Sequence, residues 1–171
     1  RVLFDLRASP SSFAASVIPD SSSFILTRSC SSAAAFLVKV VARIPEGFTP
    51  LPQISKLNDA KKQLIASGKI DWQLGELMAY GSLLMSGSDV RMSGQDVKRG
   101  TFSHRHAVFF DEKTNEPYNR LDGLNDKGKL LIFNSLLSEF AVLGFEYGYS
   151  LASPENLVIW EAQFGDFYNG A

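Results

Sequence analysis

Two unbroken apolar runs, Leu130-Leu131-Ile132-Phe133 and Leu157-Val158-Ile159-Trp160, limit what this chain can fold into more than any other feature. Neither alternates polar with apolar residues as a half-exposed strand does, so each reads as a buried strand. Between them, residues 138 to 149 carry helical spacing. The order strand, helix, strand predicts two parallel strands joined by a crossover helix, and therefore an α/β fold class with a mainly parallel sheet flanked by helices. Ligand sites in such sheets lie beyond the carboxyl ends of the strands. Two carboxylates, Glu139 and Glu161, stand at those ends.

A chain of 171 residues with 45% apolar residues can bury a sizeable core. Its net charge of -1 offers no electrostatic footprint for nucleic acid or an anionic membrane. Cys30 stands alone, so neither an intrachain disulfide framework nor a multi-cysteine metal site is expected, which suits a reducing compartment. No uncharged apolar run is long enough for a membrane span. Both ends read as cut, so the chain is expected to be part of a longer polypeptide.

Residues 1 to 42 differ in composition from the rest: serines crowd positions 9 to 12, 21 to 23 and 29 to 32, and periodicity is poor. This segment is expected to be flexible or foreign to the domain, and Ala33 to Val41 reads as a short strand or helix. Residues 43 to 70 read as a linker and a polar helix. Pro45, Pro50 and Pro52 forbid helix before about Gln53, and Gly68 stops the helix that follows. From residue 71 the main domain begins. Asp71 is the expected N-cap of a helix whose stripe is Leu74, Leu77, Met78, Gly81, Leu84 and Met85, ended by Gly87. Val90 to Ser93 reads as a short strand, and Asp111 to Lys129 as a polar surface loop. In the crossover helix, Leu136, Phe140, Leu143 and Tyr147 share one stripe, while Ala141, Gly144 and Gly148 form a small-residue face that lets another backbone approach.

His104-Arg105-His106 holds both histidines of the chain. In an extended segment alternate side chains share a face, which would aim both imidazoles into one cavity with Arg105 opposite. A zinc site lacks a third ligand. General acid/base work, carboxylate binding and a structural role remain open. The run from Ser93 to Ser103 combines glycines, charges and hydroxyls without a phosphate-binding signature. Gly144 to Gly148 fails the dinucleotide pattern, and Ser138 lies in no Gly-x-Ser-x-Gly elbow. Glu139 reads either as a helix-start carboxylate favoured by the macrodipole or as a buried acid that tunes a ligand.

Four long motifs, in order, carry a resemblance. Ser93-Gly94-Gln95-Asp96 with Arg99 to Val108, Asn134-Ser135 with Leu137-Ser138-Glu139, Gly144 to Ser150, and Trp160 to Phe167 resemble the thiamin-diphosphate-dependent decarboxylase component of the 2-oxoglutarate dehydrogenase complex. Pro45 to Pro50 and Asp71-Trp72 extend the likeness from about residue 43 to the end.

The resemblance implies a partial transketolase-like pyrimidine-binding domain. It implies that Glu139 is catalytic and binds the cofactor, bonding a ring nitrogen of the aminopyrimidine and favouring the imino tautomer that deprotonates the thiazolium. Phe167 and Phe164 would stack on that ring, and His106 would serve catalysis and substrate binding, with His104 and Arg105 as further substrate contacts. Expected cofactors are thiamin diphosphate and magnesium, the magnesium held by a domain absent from this chain. Expected partners are 2-oxoglutarate, a second copy in a homodimer, and a lipoyl-bearing dihydrolipoyl succinyltransferase. The compartment implied is the bacterial cytoplasm, or the mitochondrial matrix in a eukaryote. The leading function is oxidative decarboxylation of 2-oxoglutarate with succinyl transfer to lipoyl, the fragment alone being inactive. Alternatives are a non-oxidative decarboxylase or carboligase, and a catalytically dead interaction module.

Overall fold

A computed structural model describes residues 3–5, 24–25, 32–124 and 127–169. The serine clusters at 9 to 12 and 21 to 23, and that at 29 to 32 except Ser32, lie outside the described residues. The chain divides into two compact units, residues 1–79 with 109–120, and residues 80–108 with 121–171.

In the first unit, β1 (Leu3–Asp5) pairs in parallel with β2 (Phe24–Ile25) and antiparallel with β3 (Lys69–Asp71). Residues 33 to 41, open between strand and helix from sequence, belong to α1 (Ser32–Val41). Helix α2 (Pro52–Ala66) opens with Pro52 in its first turn, where the missing N–H is harmless, and ends before Gly68 at φ +73. Asp71 caps α3 (Trp72–Ser86): its Oδ1 accepts from the Leu74 N–H at 3.0 Å, and Gly87 at φ +100 closes the helix. The hairpin β5 (Val108–Phe110) and β6 (Pro117–Asn119) follows later in the chain.

The stretch from Asp111 to Lys129 is not the plain surface loop its polarity suggests. It contains β6, and Arg120 is buried at 2% exposure. The Arg120 guanidinium donates to the Val41 carbonyl from Nε at 2.9 Å and lies 4.8 Å from the Phe109 ring centroid. It thereby satisfies the carbonyl of the last α1 residue, and burial pulls its pKa down to about 10. Asp111 is equally structural: its carboxylate accepts from the backbone N–H groups of Thr49, Thr114 and Lys113, which hold its pKa below the ordinary value.

The second unit is a three-stranded parallel sheet in the order β7-β4-β8, with β4 Val90–Gly94, β7 Leu130–Asn134 and β8 Leu157–Glu161. The two apolar runs are parallel as expected and joined through α4 (Glu139–Ala152), but they flank β4 rather than each other. The central strand is thus the modest Val90 to Gly94, whose Val90 and Met92 are fully buried, while Phe133 at the end of β7 is 44% exposed. Asp89 ties the amino ends together. Its carbonyl accepts from Leu157 N, and its Oδ1 from Lys129 N.

The apolar stripe of helix α4 turns largely outward. Leu136, Phe140 and Tyr147 are exposed at 83%, 74% and 66%, while Leu143 of the same stripe is half-buried. Facing inward instead are Glu139 and Glu146, both buried. The reason is Arg91 on β4: its Nε and Nη2 bond Glu146 at 2.7 and 2.9 Å, and the rings of Tyr149, Phe133 and Phe145 lie 4.5, 4.9 and 5.3 Å from the guanidinium. A bidentate pair inside an aromatic cage holds the helix to its sheet.

Candidate functional site

The carboxyl ends of the strands meet at one register level, Gly94 opposite Asn134 on one side and Glu161 on the other. Only glycine fits there. An added Cβ at Gly94 would lie 2.2 Å from the Glu161 carbonyl oxygen and 2.8 Å from Val97 Cγ1. This close approach lets the chain leave β4 in a tight loop between its neighbours. Asn134 anchors that loop by accepting from Lys98 N at 3.0 Å, while Ser135 N donates to the Gly94 carbonyl at 2.7 Å.

The loop folds back on itself. Arg105 N and His106 N both donate to the Arg99 carbonyl, and Ala107 N to that of Lys98. His106 consequently takes a left-handed conformation, φ +46, as do Asp96 and Ser103. An extended run is therefore ruled out, and with it the expectation of two imidazoles on one face with Arg105 opposite. His104 Nε2 lies 3.3 Å from Arg105 Nη2. The His104 ring also lies against Gly100, where an added Cβ would come within 2.4 Å of it.

Arg105 is 2% exposed and forms a bidentate pair with Glu161, while its Nη1 donates to the Val97 carbonyl at 2.9 Å. Expected as a contact for a substrate carboxylate, it is occupied instead by a carboxylate of its own chain. His104 completes the cluster, 3.9 Å from Glu161 Oε2. Glu161 is in consequence a committed partner.

Glu139 stands differently. Ser138 Oγ caps α4 by accepting from Ala141 N at 3.4 Å, which makes Glu139 the first helical residue. Its side chain is 6% exposed, and Oε1 accepts from Gln95 Nε2 at 2.8 Å. Its other oxygen, Oε2, is buried and takes no hydrogen bond from the described residues. A buried acid oxygen without a partner, beside an ordered amide and at a helix start, is placed to bond a nitrogen of a ligand. The cofactor-binding reading of Glu139 fits this geometry, and Gln95, its fixed neighbour, lies in the first motif of the resemblance but was given no role there.

Phe164 caps the single 3₁₀ turn Gly165–Phe167 and contacts Phe167 edge-on, ring centroids 6.2 Å apart. Phe102 joins from the loop, 6.0 Å from Phe164 and nearly perpendicular to it. Phe164 and Phe167 are the stacking residues expected from the resemblance, whereas Phe102 joins them only through the folded loop. Beside this edge, a cavity of about 290 Å³ is lined by Arg91, Ser93, Phe133, Ser135, Ser138 and Phe145 among others, and Ser93 Oγ is buried there with no hydrogen-bond partner among the described residues. No group of three or more His, Cys, Asp or Glu side chains among the described residues could hold a metal ion, and no helix there is long and apolar enough to cross a membrane.

A parallel sheet with its acid at the strand ends is the architecture of a cofactor-binding α/β domain, and residues 68–171 match the family model of the transketolase pyrimidine-binding domain. The chain belongs to that family. Over 135 residues it is also 47% identical to the multifunctional 2-oxoglutarate metabolism enzyme of Mycobacterium sp. strain JLS, and to the proteins of the same name from strains KMS and MCS. These matches cover 75% of this chain and only 11% of each relative, so the chain spans about a tenth of the length of the relatives it resembles.

Proposed function

We propose that this chain is the pyrimidine-binding part of a thiamin-diphosphate-dependent enzyme that decarboxylates 2-oxoglutarate oxidatively and passes the succinyl group to a lipoyl-bearing succinyltransferase. The observation that carries the reading is the buried Glu139 Oε2 at the carboxyl edge of the sheet, which has no hydrogen-bond partner among the described residues. The likeness to enzymes named for 2-oxoglutarate metabolism supports the substrate.

When bound, thiamin diphosphate supplies the carbon nucleophile and the electron sink. Glu139 would hold a ring nitrogen of the aminopyrimidine through Oε2, the atom at which this chain can take or give a proton. Phe167 and Phe164, with Phe102 beside them, offer apolar ring faces on which the aminopyrimidine would stack. His106, its backbone pinned to the Arg99 carbonyl, is the proton carrier and contact for substrate, and His104, held between Arg105 and Gly100, is a further substrate contact. Arg105 serves the substrate side indirectly, by locking the loop to Glu161 and setting the position of His104. Magnesium and the diphosphate would be held by residues outside this chain.

A homodimer is supported by α4. Its exposed Phe140, Tyr147 and Leu151 form an apolar face, and an added Cβ at Gly144 or Gly148 meets nothing within 4 Å. A second copy laid on this face would place its backbone against the small residues.

The word multifunctional in the relatives' name favours a second reading beside the first, a non-oxidative decarboxylase or carboligase acting on the same substrate. The test is to supply the full-length protein with 2-oxoglutarate, thiamin diphosphate and magnesium, with and without a lipoylated succinyltransferase. Reductive succinylation of the lipoyl group supports the leading reading. Decarboxylation without it, releasing succinate semialdehyde or a condensation product, supports the second, and absence of both decarboxylation and cofactor binding would leave only an interaction module.

A further inference from the structure

We propose that Gln95 is a positioning residue that decides which oxygen of Glu139 carries the exchangeable proton. The inference deepens the reading of Glu139 above and rests on it. Gln95 follows Gly94, the last residue of β4, so its backbone is fixed by the strand register and by the Ser135 N–H bonded to the Gly94 carbonyl. Its Nε2 lies 2.8 Å from Glu139 Oε1 and 3.5 Å from the Leu137 carbonyl oxygen. Both neighbours are acceptors. The NH₂ end of the amide must therefore face them, since the amide oxygen in that place would confront lone pairs on both sides.

An NH₂ group has no lone pair to offer a carboxyl proton. Glu139 Oε1 must accept whether the side chain is charged or neutral, and a neutral carboxyl, which has one proton, must carry it on Oε2. That is the buried oxygen that has no partner among the described residues. The proton leaves Oε2 for a ligand nitrogen and returns by the same path, while Gln95 neither gains nor loses one. An amide also does this without charge. A lysine in its place would lock the carboxylate as an ion pair, and a glutamate would compete for the same proton.

The test uses the full-length protein with three variants, Gln95→Leu, Gln95→Glu and Glu139→Gln. In cofactor-free protein, the carboxyl infrared band absent from Glu139→Gln belongs to Glu139. In Gln95→Leu that band should shift, and loaded enzyme should lose about tenfold in kcat while its affinity for thiamin diphosphate changes less than about threefold. Gln95→Glu keeps the size of the side chain and reads the same point if the leucine variant fails to fold. Two adjoining carboxyls should move the acid limb of the pH profile upward by ~1 unit. A folded Gln95→Leu with an unshifted band and wild-type kcat, or a Gln95→Glu with an unchanged pH profile, overturns the proposal. If Glu139→Gln itself exchanges protons and turns over like wild type, the underlying reading of Glu139 fails. If Glu139→Gln is impaired and the Gln95 variants are not, only the role of Gln95 falls.

Discussion

Glu146→Leu should loosen the helix that carries Glu139, and its effect can be worked from the contacts of Arg91. The substitution leaves a guanidinium whose side chain is only 16% exposed without the carboxylate that both its Nε and Nη2 bond. Removing one member of a buried pair typically costs about 3–5 kcal/mol. Two features argue for the low end. The partial exposure lets some water reach Arg91, and three rings at 4.5 to 5.3 Å remain to attract the cation, each by roughly 0.5–1 kcal/mol. The expected loss is therefore about 3 kcal/mol, on the order of a hundredfold in the opening equilibrium of α4. Hydrogen exchange of the α4 amides, followed by mass spectrometry in the full-length protein, reads this directly. The double variant Arg91→Met, Glu146→Leu removes both charges together and should recover all but about 1 kcal/mol. A single variant within 1 kcal/mol of wild type, or a double variant worse than the single, would refute the idea that this pair fastens the helix.

Gly94→Ala should destabilise the strand ends by roughly 3 kcal/mol, because the clash is with the Glu161 backbone and cannot be relieved by a side-chain rotation; thermal unfolding checks it, and an unchanged midpoint would mean that the sheet edge is looser than it looks. Asp111 has a folded pKa held below its ordinary 3.8, so its contribution is fully present above that value and is lost as pH falls through the folded one. Asp111→Asn should consequently show a shallower loss of stability below about pH 4 than wild type in denaturant titrations, and parallel curves would contradict this. His106→Ala should lower kcat for 2-oxoglutarate decarboxylation by about a hundredfold, measured as carbon dioxide release; unchanged kcat and KM would return His106 to a purely structural place in its loop.

Local signals read well in this chain because they are written in neighbouring residues. Asp71 and Gly87 delimit α3, Ser138 starts α4, and the apolar runs become β7 and β8, each within a residue or so. Strand order was not legible, since nothing in Val90 to Gly94 states that two more apolar strands of the same length will flank it. Which face of α4 is buried was not legible for a related reason. Periodicity shows that Leu136, Phe140 and Tyr147 share a side, but burial was decided by Arg91, some fifty residues away, which draws Glu146 inward. The same holds for Arg105, whose commitment to Glu161 depends on a register between strands. His106 escaped the alternation rule because tertiary hydrogen bonds to Arg99 force its backbone left-handed. Glu139 stands out as a candidate in the sequence because its place after a strand and at a helix start is a local fact, and its cofactor role there comes from the resemblance alone. That one of its oxygens has no partner among the described residues, and that the amide of Gln95 sits on the other, could come only from the folded chain.

The central claim is that Glu139 moves a proton at a cofactor nitrogen, and hydrogen–deuterium exchange at the thiazolium carbon of bound thiamin diphosphate, read by rapid quench and NMR, tests it most directly. Glu139→Gln in the full-length protein keeps the size of the side chain and removes the acid. Exchange should slow by at least about a hundredfold while cofactor binding persists. Exchange within about threefold of wild type, with the cofactor bound, would contradict the account.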